Sequence, residues 1–204
     1  MTWPASDPGR TDLCGRLARA RDGVAATEFA LIAPVFLVLM MGIFNVGQTA
    51  YGSSVLNGAV QKAARESSLE SGDTDAADAM VRELATPVFP GATFTSERTS
   101  YYDFADIGRP EKFNDQNNNG ECDGGETYVD ENSNGGWDRD IGRSGNGGAN
   151  DVVVYTVQVR FQPVFRIPFA PEQWGWKTLT ASALKKNQPF ADQQEYGSSG
   201  GTCT

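Results

Sequence analysis

GVAATEFALIAPVFLVLMMGIFNV, residues 23–46, contains a single charged side chain, Glu28. From Val24 to Val46 the apolar run has 23 residues, which as a helix extend roughly 34 Å, enough to cross a hydrocarbon core with some tilt. A cleaved secretory signal has a shorter apolar core followed by a small-residue cleavage site, and neither feature is clear here. The segment therefore reads as a retained transmembrane helix. Ahead of it Arg10, Arg16, Arg19 and Arg21 stand against Asp7, Asp12 and Asp22. That arginine excess beside the span places the N-terminus in the cytoplasm and everything after Gln48 outside the cytoplasmic membrane, in a single-pass arrangement.

Two residues inside the run need a reason. Pro34 lies where neighbouring backbone can adjust around its missing donor, so it reads as a mild kink. Glu28 is costlier, because a carboxylate well inside a span costs about 2.5 to 3.5 kcal/mol on insertion scales unless it snorkels or finds a partner. On its own chain it could snorkel to the nearby cytoplasmic end and pair with Arg21.

A second reading of Glu28 comes from a resemblance. GVAATE, a glycine with glutamate at the fifth position after it, is similar to the processing site of type IV prepilins, in which a membrane peptidase cuts behind the glycine. The longer segment VAATEFALIAPVFLVLMMGIFNVGQTAYGSSVLNGAVQKAAR resembles the N-terminal domain of TadE-like proteins, minor pilins or pseudopilins of tight-adherence pilus systems. The ATEFALI pattern, the proline that follows it, and the tyrosine and AAR beyond the span carry that resemblance, over roughly residues 22–68. It implies cleavage behind Gly23 by a prepilin peptidase, a mature N-terminus at Val24, and Glu28 pairing with that free amine on a neighbouring subunit. It also implies the membrane, other pilins and pilus-assembly proteins as partners.

Composition narrows the rest. A formal net charge of -9 and a pI near 4.5 repel nucleic acid and anionic surfaces and leave cations as the natural charged partners. No histidine is present, which removes the usual general base and zinc ligand, and no nucleophile stands beside a base in any motif. No catalytic residue is assigned, and an enzyme is not expected. Of the cysteines, Cys14 precedes the span, while Cys122 and Cys203 both follow it into an oxidising compartment, where they are expected to form a disulfide.

Beyond the span, Gln48–Ser68 continues without proline, and Tyr51, Val55, Ala59 and Ala63 recur at every fourth position, the pattern of a helix burying one stripe. Gly52 and Gly58 weaken that helix by about 1 kcal/mol each relative to alanine. A second helix is expected from Thr74 to Ala85, capped by Asp73, with Ala77, Met80, Val81 and Leu84 on one face and Pro87 past its end. ATFTSERTSYYDF, DVVVYTVQVRF and KTLTASALKK then read as three antiparallel strands. Between the last two, PVFRIPFAPEQWGW reads as an ordered loop, with Trp174 and Trp176 either packed within it or forming a contact surface.

Residues 111–141 contain an internal repeat. EKFNDQNNNGECDGG and ETYVDENSNGGWDRD align over fifteen residues. The first copy satisfies the calcium-loop pattern D-x-(D/N)-x-(D/N)-G-x5-E with Asp115, Asn117, Asn119, Gly120 and Glu126. In such a loop the first, third and fifth residues converge on one ion, the glycine makes the turn, the seventh offers its carbonyl and the twelfth closes the cage with both oxygens. Glu121 is the seventh residue here, and Asp123 the ninth. The second copy keeps Asp130, Asn132, Asn134, Gly135, Gly136 and Asp138, but its twelfth position is Ile141, so its cage is incomplete unless Asp140 or another loop substitutes. Three residues between loops leave no room for the helices of paired EF-hands, and the loops look more like extracellular thrombospondin type 3 repeats. The other reading is a solvated spacer, since residues 103–151 hold 12 acidic and 4 basic side chains, a charge of -8.

The expectation is an α+β protein, a long N-terminal helix on a small antiparallel sheet with a Gly/Asn/Asp-rich calcium-loop insertion. It divides into a cytoplasmic leader at 1–23, a span at 24–46, an amphipathic helix at 47–70, an extracytoplasmic domain at 71–192 and a flexible tail at 193–204. The function implied is a TadE-like minor pilin or pilus-assembly component. The alternative is a membrane-anchored, calcium-dependent adhesion module outside any filament.

Overall fold

A computed structural model describes residues 23–68, 73–165, 171, 175–189 and 191–204. The leader with its arginines and Cys14, and Trp174, lie outside the described residues. Helix α1, Val24–Glu66, is a single helix of 43 residues with Pro34 inside it, about 65 Å long at 1.5 Å per residue. Helix α2, Thr74–Ala85, starts where the side chain of Asp73 accepts the backbone N–H groups of Asp75 (2.9 Å) and Ala76 (3.1 Å), satisfying donors that have no partner inside the helix.

Six strands follow among the described residues: β1 Thr93–Tyr101, β2 Thr127–Asp130, β3 Arg143–Ser144, β4 Val152–Phe161, β5 Lys177–Lys186 and β6 Ser199–Thr202. Four form an antiparallel sheet in the order β3-β1-β4-β5, and β2 pairs with β6 in a separate two-stranded ribbon. The fold is the expected α+β arrangement of a long N-terminal helix on a small antiparallel sheet.

The two halves of α1 live in different surroundings. From Val24 to Val46 its apolar side chains are exposed, Ile43 and Val46 at 67% each, and this half is long and apolar enough to cross a membrane. The second half buries Gly52, Leu56, Ala59, Val60, Ala63 and Ala64 against α2 and the sheet. The expected stripe is therefore rotated: Ala59 and Ala63 lie in it, but Tyr51 points to solvent and Leu56 and Val60 take its place. A strict four-residue repeat drifts around a helix of 3.6 residues per turn, so it loses the buried face within a few turns. On α2 the core face is Ala77, Val81 and Ala85, while Leu84 is exposed.

Gly52 does not break α1. A Cβ there would lie 2.1 Å from Cζ of Phe89, so the missing side chain makes room for that fully buried ring, which in turn packs tilted against Phe161 with centroids 4.4 Å apart. The sheet stands alongside α1 with matching rise. Lys177 Nζ, at the start of β5, donates to Thr49 Oγ1, and Lys185 Nζ donates to Ser67 O at 2.6 Å. Eighteen helical residues and eight strand residues both cover about 27 Å, so one end of the sheet stays beside the apolar half of α1 and the other lies about 27 Å further along the helix.

Residues 193–204, expected as a flexible tail, instead carry β6. Gly201 lets the chain lie against the Tyr128 ring, where a Cβ would come within 2.4 Å, and Gly197 packs against Asp130 O in the same way.

Candidate metal centre

The acidic repeat hangs from the end of the sheet remote from the apolar half of α1, attached through the β1 to β3 pairing at Ser100 and Arg143. Its two copies pair through equivalent residues. Phe113 and Tyr128, equivalent in the repeat, form an antiparallel bridge, with Asn114 N donating to Thr127 O and Val129 N to Lys112 O, both at 2.8 Å.

Within each copy the backbone folds around the side-chain oxygens. Asp115 accepts the N–H groups of Asn119 (3.1 Å) and Gly120 (2.8 Å). Asn117 Oδ1 accepts Asn119 N, and Asn119 Oδ1 accepts Glu121 N at 2.8 Å. The second copy repeats each bond: Asp130 accepts from Asn134 (3.0 Å) and Gly135 (2.9 Å), Asn132 Oδ1 from Asn134 N, and Asn134 Oδ1 from Gly136 N. Gly120 (φ 78°) and Gly135 (φ 88°) make the turns in the left-handed region, where a side chain is strained. Asn117 and Asn119 then meet Asp123, both amides donating to its Oδ2 at 2.7 Å, as Asn132 and Asn134 meet Asp138 Oδ2.

The closing carboxylates are exchanged between copies. Glu126, which opens the second copy, accepts Gln116 N (2.8 Å) and Asp123 N (3.0 Å) of the first loop. Glu111, which opens the first copy, accepts Glu131 N (2.7 Å), Asn132 N (3.0 Å) and Asp138 N (3.1 Å) of the second. Glu111 is 1% exposed, so its charge is held by those three N–H groups. Ile141 is buried, and Asp140 is occupied elsewhere, accepting Tyr101 OH and Gly142 N. The second loop is thus closed by another loop's residue, one not assigned from the sequence. The glutamate at the head of each repeat was the available signal.

The module is tied down from three sides. Cys122 and Cys203 are joined by a disulfide with Cα atoms 5.8 Å apart, and Cys203 N donates to Glu126 O at 2.8 Å beside it. Trp137 packs edge-on to Phe113 and donates its indole N–H to Glu111 O. Burial pushes the Glu131 carboxyl up, but Arg109 and Lys112 outweigh it and hold it below its ordinary value.

Every donor that could face an ion is a hard oxygen from carboxylate, amide or backbone, a set suited to calcium and unsuited to zinc or copper. Among the described residues no three carboxylates or thiolates gather into a single metal-holding cluster, and the amide nitrogens of the asparagines are turned onto Asp123 and Asp138. At the other end of the molecule, Glu28 lies on the exposed outer half of α1 and Gly23 stands at its start.

Searches of curated proteins and of solved structures returned no match. Residues 23–65 match the family described as TadE-like protein, so helix α1 is similar to that family, and the sheet and the acidic module lie outside the matched residues.

Proposed function

We propose that this chain is a membrane-anchored, non-enzymatic pilus component of the TadE-like kind, a minor pilin or an assembly factor, whose distal acidic module is stabilised by calcium. The observation that carries it is the coincidence of the TadE-like match with a helix whose outer half buries almost nothing and whose inner half is the spine of the folded domain. A helix divided in this way needs lipid or other helices around its first half. Cleavage behind Gly23 would free the amine of Val24, and Glu28, one turn along the exposed face, would meet that amine on a neighbouring chain.

N-terminal sequencing of membrane-extracted protein, from a host with the matching peptidase, tests the reading. Val24 as first residue supports it, and an intact Met1 overturns the processing step. Glu28→Ala should then impair assembly and leave insertion intact, since removing a charge makes the span more apolar.

For calcium, the two asparagine amides on each of Asp123 and Asp138 mark where a cation would go. Turning their oxygens inward would replace N–H donors with ligands at the third and fifth positions, with Glu126 and Glu111 closing the first and second loops. A second reading, an adhesion module outside any filament, draws on the position of this module at the end of the sheet far from the apolar half of α1. Co-purification with sheared pili distinguishes the two.

A further inference from the structure

Asn45 and Gln48 are polar residues at the end of an exposed apolar helix, and both are consumed by the segment that leaves β4. Asn45 Nδ2 donates to Phe165 O at 2.7 Å while Phe165 N donates to Asn45 Oδ1 at 3.4 Å. Gln48 Oε1 accepts Val164 N at 3.2 Å, and Gln48 Nε2 donates to Val88 O at 3.1 Å. The rings of Phe44 and Phe165 lie 5.6 Å apart. These bonds hold the backbone of Val164 and Phe165 at the height of Asn45 on α1.

We infer that Val164, Phe165 and Trp176 form an interfacial foot that rests in the headgroup region of the bilayer crossed by α1. The inference rests on the membrane-anchor reading and goes beyond it. If Val24–Val46 spans, a hydrocarbon core of about 30 Å is filled by roughly twenty residues, which puts Phe44 to Gln48 at its outer boundary. Whatever is bonded to Asn45 and Gln48 then lies at that boundary as well. Val164 is 61% exposed, Phe165 41% and Trp176 42%; Ile43, Phe44 and Val46 are exposed on α1, and the Phe44 ring lies beside Phe165.

The surrounding charges suit a phospholipid surface. Arg160 lies with its guanidinium 4.8 Å from the centre of the Trp176 ring, and Lys177 follows directly. Neither makes an ion pair among the described residues, in a chain of net charge -9. An indole with a cation beside it, at the same end of the sheet as an apolar stub, is the composition that settles where acyl chains meet phosphates.

The test uses the full chain with Cys14→Ser, reconstituted in phosphatidylcholine and phosphatidylglycerol vesicles, with a nitroxide attached in turn at Val164→Cys, Ile32→Cys and Leu184→Cys. All three positions are exposed, so the labels displace no core packing, and Leu184 lies at the far end of β5. Collision rates with oxygen and with a water-soluble nickel chelate report depth. Val164 should be several-fold less accessible to the chelate than Leu184 while remaining open to oxygen, and shallower than Ile32. Val164 as wet as Leu184, with Ile32 in lipid, overturns the foot and leaves the anchor standing. Val164 closed to both relaxants overturns it in favour of a covering protein. Ile32 in water overturns the anchor itself.

Discussion

Glu111 and Glu126 are related by exchange: each opens one copy of the acidic repeat and places its carboxylate in the other, against the N–H of the residue after the first position and the N–H of the ninth residue. Neither loop is closed by a residue confined to its own copy. The two sites are therefore expected to bind calcium as a coupled pair, both in the range of about 10⁻⁴ to 10⁻³ M found for extracellular modules. Calorimetry of the full chain in detergent should show two sites. Glu126→Ala should weaken the first and Glu111→Ala the second, with magnesium a poor substitute because it holds its waters and demands a smaller octahedron. Absence of heat at millimolar calcium, or wild-type titrations from both variants, would leave the module a purely hydrogen-bonded unit.

Gly52→Ala should destabilise the domain by about 1 to 3 kcal/mol through overpacking, although alanine is the better helix former. The new methyl would run into the Phe89 ring, which is held on its other side by Phe161. Thermal melting should show the loss, and Gly58→Ala is the control, since a Cβ there meets nothing within 4 Å. There the same substitution is expected to stabilise slightly. Equal effects at both positions would contradict the packing argument.

The contrast between these two glycines shows what was legible in the sequence. Local signals placed α2 at its residues, with Asp73 as its cap, and the three long strands in antiparallel order, because capping and alternation are written within a few positions. The repeat displayed its Asp, Asn and Gly spacing for the same reason, and the two copies fold with the same turn bonds. What escaped depends on distant partners. Gly52 is explained by Phe89, and Glu111 by a loop some twenty residues later. The Gly/Ser composition of GSSGG suggested a flexible tail, whereas Gly197 and Gly201 are small so that the chain can lie on Asp130 and Tyr128. Asn45, a polar residue inside the apolar run, is explained by Phe165, 120 residues on, whose carbonyl its amide meets.

Asp78 joins α2 to the sheet. It accepts from Arg98 at 2.6 Å, from Tyr155 OH at 2.6 Å and from Ser96 Oγ. Burial pushes its carboxyl up, but the bonds from Arg98, Ser96 and Tyr155 outweigh that and hold it below 3.8. A folded-state value below the unfolded one gives stability that is fully present above about pH 4 and is lost as pH falls through the folded value. Melting temperature should drop on acidification below pH 4. Asp78→Ala should cost about 3 to 5 kcal/mol at neutral pH, because it leaves the guanidinium of Arg98 buried without its partner. The variant should also lack that part of the acid slope, and an unchanged slope would assign acid sensitivity to other carboxylates.

The disulfide links the first acidic loop to the last strand, and the ribbon it anchors is small. Strands β2 and β6 share four residue pairs, and a two-stranded ribbon of that length is marginal in water without further support. Cys122 and Cys203 are 81 residues apart, so in the chain-entropy account their bond contributes about 3 to 5 kcal/mol by restricting the unfolded chain. Because β6 packs over Tyr128, and Cys203 bonds through its backbone to Gly125 and Glu126, its release should loosen the loop that Glu126 closes. Cys203→Ser is therefore expected to lower the melting temperature and weaken the first calcium site more than the second, since ordering that loop would then fall to the ion. Mass spectrometry of non-reduced, alkylated protein should find neither Cys122 nor Cys203 labelled. Two labelled thiols would remove the premise, and equal loss at both sites would show that the bond steadies the module as a whole and not the first loop.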